Sequence, residues 1–240
     1  MLIDLEKYSL KQLGNVADVM SSSTFKRRLE KGDFFYPKMT FIQVPKSYVP
    51  KKMEVEVMEN PPQKDGYVVI SKTDIEDNVY LTCILNSHVA WQYLTNGNLD
   101  KKSSIYKKKL ETIPVRLLSK ELQAAVVYLY YLIGSIMILK DKGDKDTKLE
   151  FKEELYRELL DGLVLELTMP KLFKELKIDL FDSWSIMIGK CLNDHPGTSF
   201  DSMQEIIGNE MMNPQNFVTN NMKKLRVVAQ IISDQIAKNV

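Results

Sequence analysis

Five of the nine residues from Lys101 to Lys109 are lysine, and Ser103, Ser104 and Tyr106 sit among them. Lysines neutralise phosphate charge and hydroxyls donate to phosphate oxygens. Lys101, Lys102, Ser103, Ser104, Tyr106, Lys107, Lys108 and Lys109 therefore form a set suited to a polyanion such as a nucleic-acid backbone. A second basic cluster, Lys26-Arg27-Arg28, follows a hydroxyl run at residues 21–24. A solvated surface loop can have the same composition. The phosphate reading gains from the interleaved hydroxyls, from Gly97 at the start of the segment and from the apolar strand that follows it.

Other chemistry finds little support in the residue pattern. Asn60-Pro61-Pro62-Gln63 shares three residues with the Asn-Pro-Pro-aromatic motif of amino-methyltransferases, whose ring stacks on a flipped base. Gln63 stands where the ring belongs, and no glycine-rich turn follows an upstream strand, so the segment reads as a turn that ends a strand. Cys83 and His88, with Cys191 and His195, are not spaced as zinc ligands usually are. There is no Gly-x-Ser-x-Gly elbow, phosphate-binding glycine loop or His-Glu-x-x-His. An enzyme is the weakest class, and the chain calls for no metal and no cofactor.

The composition, 44% hydrophobic and 27% charged over 240 residues, is that of a soluble protein with one large or two modest domains. Net charge is +1 but uneven. Residues 1–118 carry 18 Lys+Arg against 14 Asp+Glu, and residues 119–240 carry 15 against 18. Two cysteines make no disulfide framework, the first residues lack a signal-peptide pattern, and a cytoplasmic location is expected. Residues 122–139 carry no charge, yet Gln123, Gly134, Ser135 and three tyrosines favour a helix buried in protein over a membrane span.

These residues need elements to hold them. Residues 34–75 are rich in strand formers, with period-two alternation at 53–57 and a second strand at Tyr67-Val68-Val69-Ile70. Residues 79–95 read as one helix. From Ser119, a plausible N-cap with Glu121 in the first turn, nearly everything is helical. Leu122, Val126, Leu129, Ile133 and Ile136 recur at 4-3-4-3 spacing, a seam for a dimer or partner helix, and Val218, Met222, Leu225, Ala229, Ile232 and Ile236 repeat it. The expected class is α+β: a mixed domain over 1–118, a long spacer or dimerisation helix over 119–142 and an all-α region over 149–240.

Residues 8–139 resemble the target-recognition unit of type I restriction-modification specificity subunits and the related region of adenine-specific DNA methyltransferases. The resemblance rests on the order of pieces: Leu85-Asn86-Ser87 opening a short helix, Gly97, the basic hydroxyl-rich segment, Leu110 before Ile113-Pro114-Val115, and a glutamate and glutamine starting a long helix. The opening Leu13-Gly14-Asn15-Val16-Ala17 matches the family's usual Leu-Gly start. Here Arg116-Leu117 replaces a second proline, Leu122 separates Glu121 from Gln123, and one recognition unit is present instead of two. Residues 156–167 are similar to a helix that often follows such units in stand-alone methyltransferases.

The resemblance implies a non-catalytic DNA-binding specificity protein. It would read double-stranded DNA through Lys26, Arg27, Arg28 and the 101–109 segment, for a separate methyltransferase or restriction subunit. A homodimer reading a two-fold site is a natural form for a single unit, and no membrane is involved. The alternative is a degenerate unit serving as a helical protein-interaction or regulatory module that does not bind DNA.

Overall fold

The computed structural model describes residues 3–31, 41–45, 56–58, 65–72, 77–95, 107–142 and 147–239. The chain divides into two compact units, Ser9–Leu117 and a helical unit made of Met1–Tyr8 with Leu118–Lys238. The class is α+β with a helical C-terminal region, as expected.

The first unit contains two antiparallel sheets among the described residues. β1 (Leu10–Gln12) pairs with β6 (Pro114–Arg116), Leu10 opposite Arg116 and Gln12 opposite Pro114. Proline lacks a ladder donor, and a short two-stranded ribbon tolerates that. The second sheet has the order β2-β5-β3-β4, from β2 (Ala17–Ser21), β3 (Phe41–Pro45), β4 (Glu56–Met58) and β5 (Gly66–Ser71). Val68 and Val69 of β5 point to opposite faces of a pleated strand. Both are fully buried, so this central strand is covered on two sides.

The cover comes from helices. α1 (Leu13–Val16) is a single turn, and α2 (Ser22–Glu30) packs on β2 and β5. α3 (Asp77–Leu85) packs on β3, β4 and β5 and continues through a short break into α4 (His88–Thr95). α5 (Lys107–Glu111) leads into β6. Asn78 is buried at the start of α3, and its Oδ1 accepts the Ser71 backbone N–H at 3.0 Å, which fixes the end of β5.

Gly66 opens β5 opposite Pro45, where a Cβ would run into the Val44 carbonyl oxygen and sit 3.2 Å from the Pro45 Cα. These obstacles are backbone and cannot turn aside. Gly66→Ala is expected to destabilise this unit by about 1–3 kcal/mol, read as a lower urea midpoint. An unchanged midpoint would contradict the close approach.

The helical unit comprises α6 (Lys120–Asp141), α7 (Thr147–Thr168), α8 (Pro170–Glu175), α9 (Leu180–Asp194), α10 (Phe200–Met212) and α11 (Phe217–Asn239). α6 packs on α7 and α9, α7 on α8 and α9, and α9 on α10. At Gly162 of α7 an added Cβ would meet Leu180 Cδ2 at 2.5 Å and Leu225 Cδ2 at 2.9 Å, so this glycine allows the close approach of those leucines. Trp184 is fully buried and donates its Nε1–H to the Ala125 carbonyl at 2.8 Å, tying α9 to α6.

Three expectations change here. Met1–Tyr8 belongs with the helical unit, not with the domain assigned to residues 1–118. The Ile3 N–H donates to both carboxylate oxygens of Asp182, at 2.9 and 2.8 Å, and the turn at Leu5–Lys7 packs on α8. α6 is a core element of that unit, not a separate spacer. The third concerns the proposed dimer seam. Val126, Leu129, Ile133 and Ile136 are fully buried and Leu122 is half-buried, so the stripe is occupied within the chain. A 4-3 spacing shows that a helix face is covered and does not say by which chain.

The second stripe behaves alike. Val218, Met222, Leu225 and Ile232 are buried and Ala229 is exposed, while the Ile236 side chain lies outside the described residues.

Candidate nucleic-acid interface

α2 starts with a cap made by hydroxyls. Ser21 Oγ accepts the Thr24 N–H at 3.1 Å and donates to Thr24 Oγ1 at 2.8 Å, as an N-cap serine does for the third residue of its helix. The turn after the cap carries Lys26 and Arg27 into solvent, with Arg28 half-buried. The hydroxyl run at 21–24, set aside in sequence as a neighbour of the basic cluster, is what positions it.

The second basic element is held from both ends. Leu110 of α5 is fully buried and anchors the helix. Gly14 in α1 lies against Glu111, where an added Cβ would sit 3.0 Å from the Glu111 Cβ. The Leu13 N–H donates to the Ile113 carbonyl at 2.8 Å, and Lys72 Nζ donates to the Gly14 carbonyl at 2.8 Å. The Leu-Gly pair thus has a physical role: buried Leu13 fixes the turn and Gly14 lets α5 approach.

α5 presents its lysines unequally. Lys107 and Lys108 are exposed. Lys107 Nζ lies 3.5 Å from Glu111 Oε1, a solvent-accessible pair one turn apart that is worth little. Lys109 points inward, and its Nζ donates to the Leu94 carbonyl at 3.1 Å, satisfying a carbonyl in the last turn of α4. α2 and α5 both pack against β2. Lys101, Lys102, Ser103, Ser104 and Tyr106, with Gly97, lie outside the described residues, as does Asn60-Pro61-Pro62-Gln63.

Leu85-Asn86-Ser87 lies at the break between α3 and α4, so the single helix expected over 79–95 is two. Asn86 Nδ2 donates to the Thr82 carbonyl at 3.0 Å, and Ser87 Oγ donates to the Ile84 carbonyl at 2.6 Å while accepting the Ala90 N–H at 3.2 Å. The Asn86 and Ser87 backbone N–H groups donate to the same two carbonyls, at 3.0 and 3.1 Å, so the side chains add second donors there, and the Ser87 hydroxyl caps α4. Tyr80 OH donates to the Arg116 carbonyl at 2.8 Å, joining α3 to β6.

Cys83 and Cys191 are buried thiols outside any disulfide, Cys83 pushed up by burial, and no group of three or more His, Cys, Asp or Glu fit to hold a metal ion occurs among the described residues.

One feature of the helical unit gave no signal in the sequence. A cavity of about 410 Å³ is lined by Ile3, Glu166, Lys174, Ile178, Asp179 and Asp182, among others. Glu166 is only 6% exposed, and its Oε2 accepts the Phe181 N–H at 2.7 Å, at the start of α9. Burial pushes its carboxyl up to about 8, against the opposing pull of the Phe181 and Leu180 N–H groups. Burial also raises Asp179, with Asp182 adding to the effect. A carboxylic acid that is neutral at pH 7 is a proton donor in principle. Here it accepts the backbone N–H at the start of α9, which is a structural role.

No protein-family model, curated protein or solved structure matches this chain.

Proposed function

We propose that residues 9–117 are a DNA-reading module of restriction-modification type, with no chemistry of its own, and that it presents a target to a separate methyltransferase or nuclease chain. One observation carries this reading. Leu13-Gly14 packs against α5 and Ile113, Tyr80 of α3 is bonded to β6 and Lys109 of α5 to the end of α4, an assembly that exposes Lys107 and Lys108. Exposed cations on two helices that share β2 supply the salt-sensitive, sequence-independent part of DNA affinity. Base readout would come from loops next to them.

A second reading keeps the fold and drops the ligand. Lys109 is engaged at the end of α4 and Lys107 faces Glu111, which favours a degenerate unit used for protein contact.

Fluorescence anisotropy of the full chain with random-sequence duplex DNA separates the two. The DNA-reading module binds at low salt and loses affinity steeply as salt rises, and selection from a random library then enriches a defined motif. No binding at low salt sinks this reading and leaves the protein-contact one.

A further inference from the structure

We propose that the cavity of the helical unit binds an aliphatic ammonium, one cationic nitrogen on an apolar chain, held by Glu166 and Asp179. The cavity lies wholly within that unit, and the proposal does not rest on the DNA reading. Its volume of about 410 Å³ falls in the range of small-molecule pockets, roughly 300–1,000 Å³.

The walls are of two kinds. Ile3, Leu5, Pro170 and Ile178 supply apolar surface, and Glu166, Asp179 and Asp182 bring carboxyl groups to the same space. Asp182 is already engaged, since both its oxygens accept the Ile3 N–H. Two further acids of the lining are paired as well: Asp4 lies 3.9 Å from Lys7 Nζ, and Glu6 lies 4.0 Å from Lys171 Nζ.

Glu166 and Asp179 differ. The Phe181 N–H engages only Oε2 of the buried Glu166, and Oε1 makes no hydrogen bond or ion pair among the described residues. Asp179 is half-buried at the start of α9, yet its side chain does not cap the helix and forms no hydrogen bond or ion pair among the described residues. The chain's own cations do not serve these two acids. Lys174 and Lys177 line the cavity but are exposed, and neither forms an ion pair among the described residues. Lys224 of α11 donates to the Lys177 carbonyl and to Asn221 Oδ1.

A buried carboxylate without a counter-ion is costly, and the raised carboxyl of Glu166 reflects that cost. An ammonium set between Glu166 and Asp179 supplies the positive charge and up to three N–H donors, and Glu166 then gives its proton to solvent. Binding and proton release are therefore linked. The charged groups facing the nitrogen are Asp4 and Glu6 of the first turn, Lys174 and Lys177 at α8, Asp179 and Asp182 at α9, and Lys224 of α11. Affinity rises about tenfold per pH unit up to about 8 and levels off above it, as long as the ligand stays cationic. The apolar walls favour an alkyl chain over a bare metal ion, and no metal-holding group of three occurs among the described residues.

Isothermal titration calorimetry of the full chain with n-butylammonium chloride at pH 8.5 tests the proposal. One saturable site per chain is expected, with affinity more than tenfold lower at pH 6.5. Glu166→Gln and Asp179→Asn each weaken binding by about tenfold or more, with unchanged circular dichroism spectra, and Glu166→Gln also flattens the pH dependence. If Glu166→Gln fails to fold, Asp179→Asn carries the test, because the Asp179 carboxyl makes no bond in the described fold. n-Butanol, which has the same apolar body and no charge, does not bind, and equimolar sodium chloride does not displace the amine. No saturable heat, equal binding of butanol, displacement by equimolar sodium, or full affinity in Asp179→Asn overturns the proposal.

Discussion

The helical unit loses stability as pH rises from the ordinary glutamate value of 4.5 to about 8, and Glu166→Gln removes most of that loss. A carboxyl whose pKa is raised on folding binds its proton more tightly in the folded chain than in the unfolded one. Stability is full below 4.5, falls across the interval and reaches a floor above 8. The whole effect is on the order of 5 kcal/mol for a shift of this size.

Asp179, also raised by burial, acts in the same direction, whereas Glu153, held low by its bonds to Lys140 and Arg157, acts in the opposite one. Glutamine keeps the acceptor for the Phe181 N–H and cannot ionise, so the variant should match the parent near pH 5 and exceed it near pH 9. Urea unfolding followed by helical circular dichroism at both pH values measures this. Equal pH slopes for parent and variant would mean that Glu166 does not titrate in this interval.

Replacing Lys26, Arg27, Lys107 and Lys108 together by alanine should reduce the dependence of log affinity on log salt by about 3–4, since each phosphate contact contributes roughly 0.9. Affinity at low salt should fall by about 100-fold or more. Lys109→Ala makes the contrast. Its ammonium serves the Leu94 carbonyl, so the expected result is about 1 kcal/mol less stability with the salt slope almost unchanged. If Lys109→Ala alone flattened the slope, its inward placement would not be the DNA-bound one. If the quadruple variant kept the parental slope, the α2–α5 surface would not be the phosphate contact.

Sequence pattern and structure agree where contacts are local. Tyr67–Ile70 lies within β5, Ser119 is the residue before α6, and the helix ending at Thr168 is α7. Each rests on neighbours a few residues away. The expected helix divides at Ser87, whose hydroxyl caps α4 by accepting the Ala90 N–H, a side-chain bond that apolar periodicity does not register. Ile3 and Asp182 are 179 residues apart, and no local signal ties the first residues to α9. β1 has three exposed residues and no alternation to read.

The candidate site followed the same rule. Residue types proposed the lysines, but only their partners separated Lys107 and Lys108, which face solvent, from Lys109, which caps a helix. Glu166 stayed hidden because its spacing from the buried Leu163 became informative only once the helix face was known.

The Leu117 N–H donates to the Ser9 carbonyl at 3.0 Å, next to the β1–β6 pair. The 109-residue unit therefore begins and ends at one point, between the two parts of the chain that make up the helical unit. To the helices the whole insert is a staple of fixed short span, whatever lies inside it. Its interior can be rewritten, lengthened or exchanged for another sequence with the same clasp, and the helical unit closes over the same gap. Length and sequence changes inside that insert leave the chain ends at Ser9 and Leu117 to be joined by the same single backbone bond.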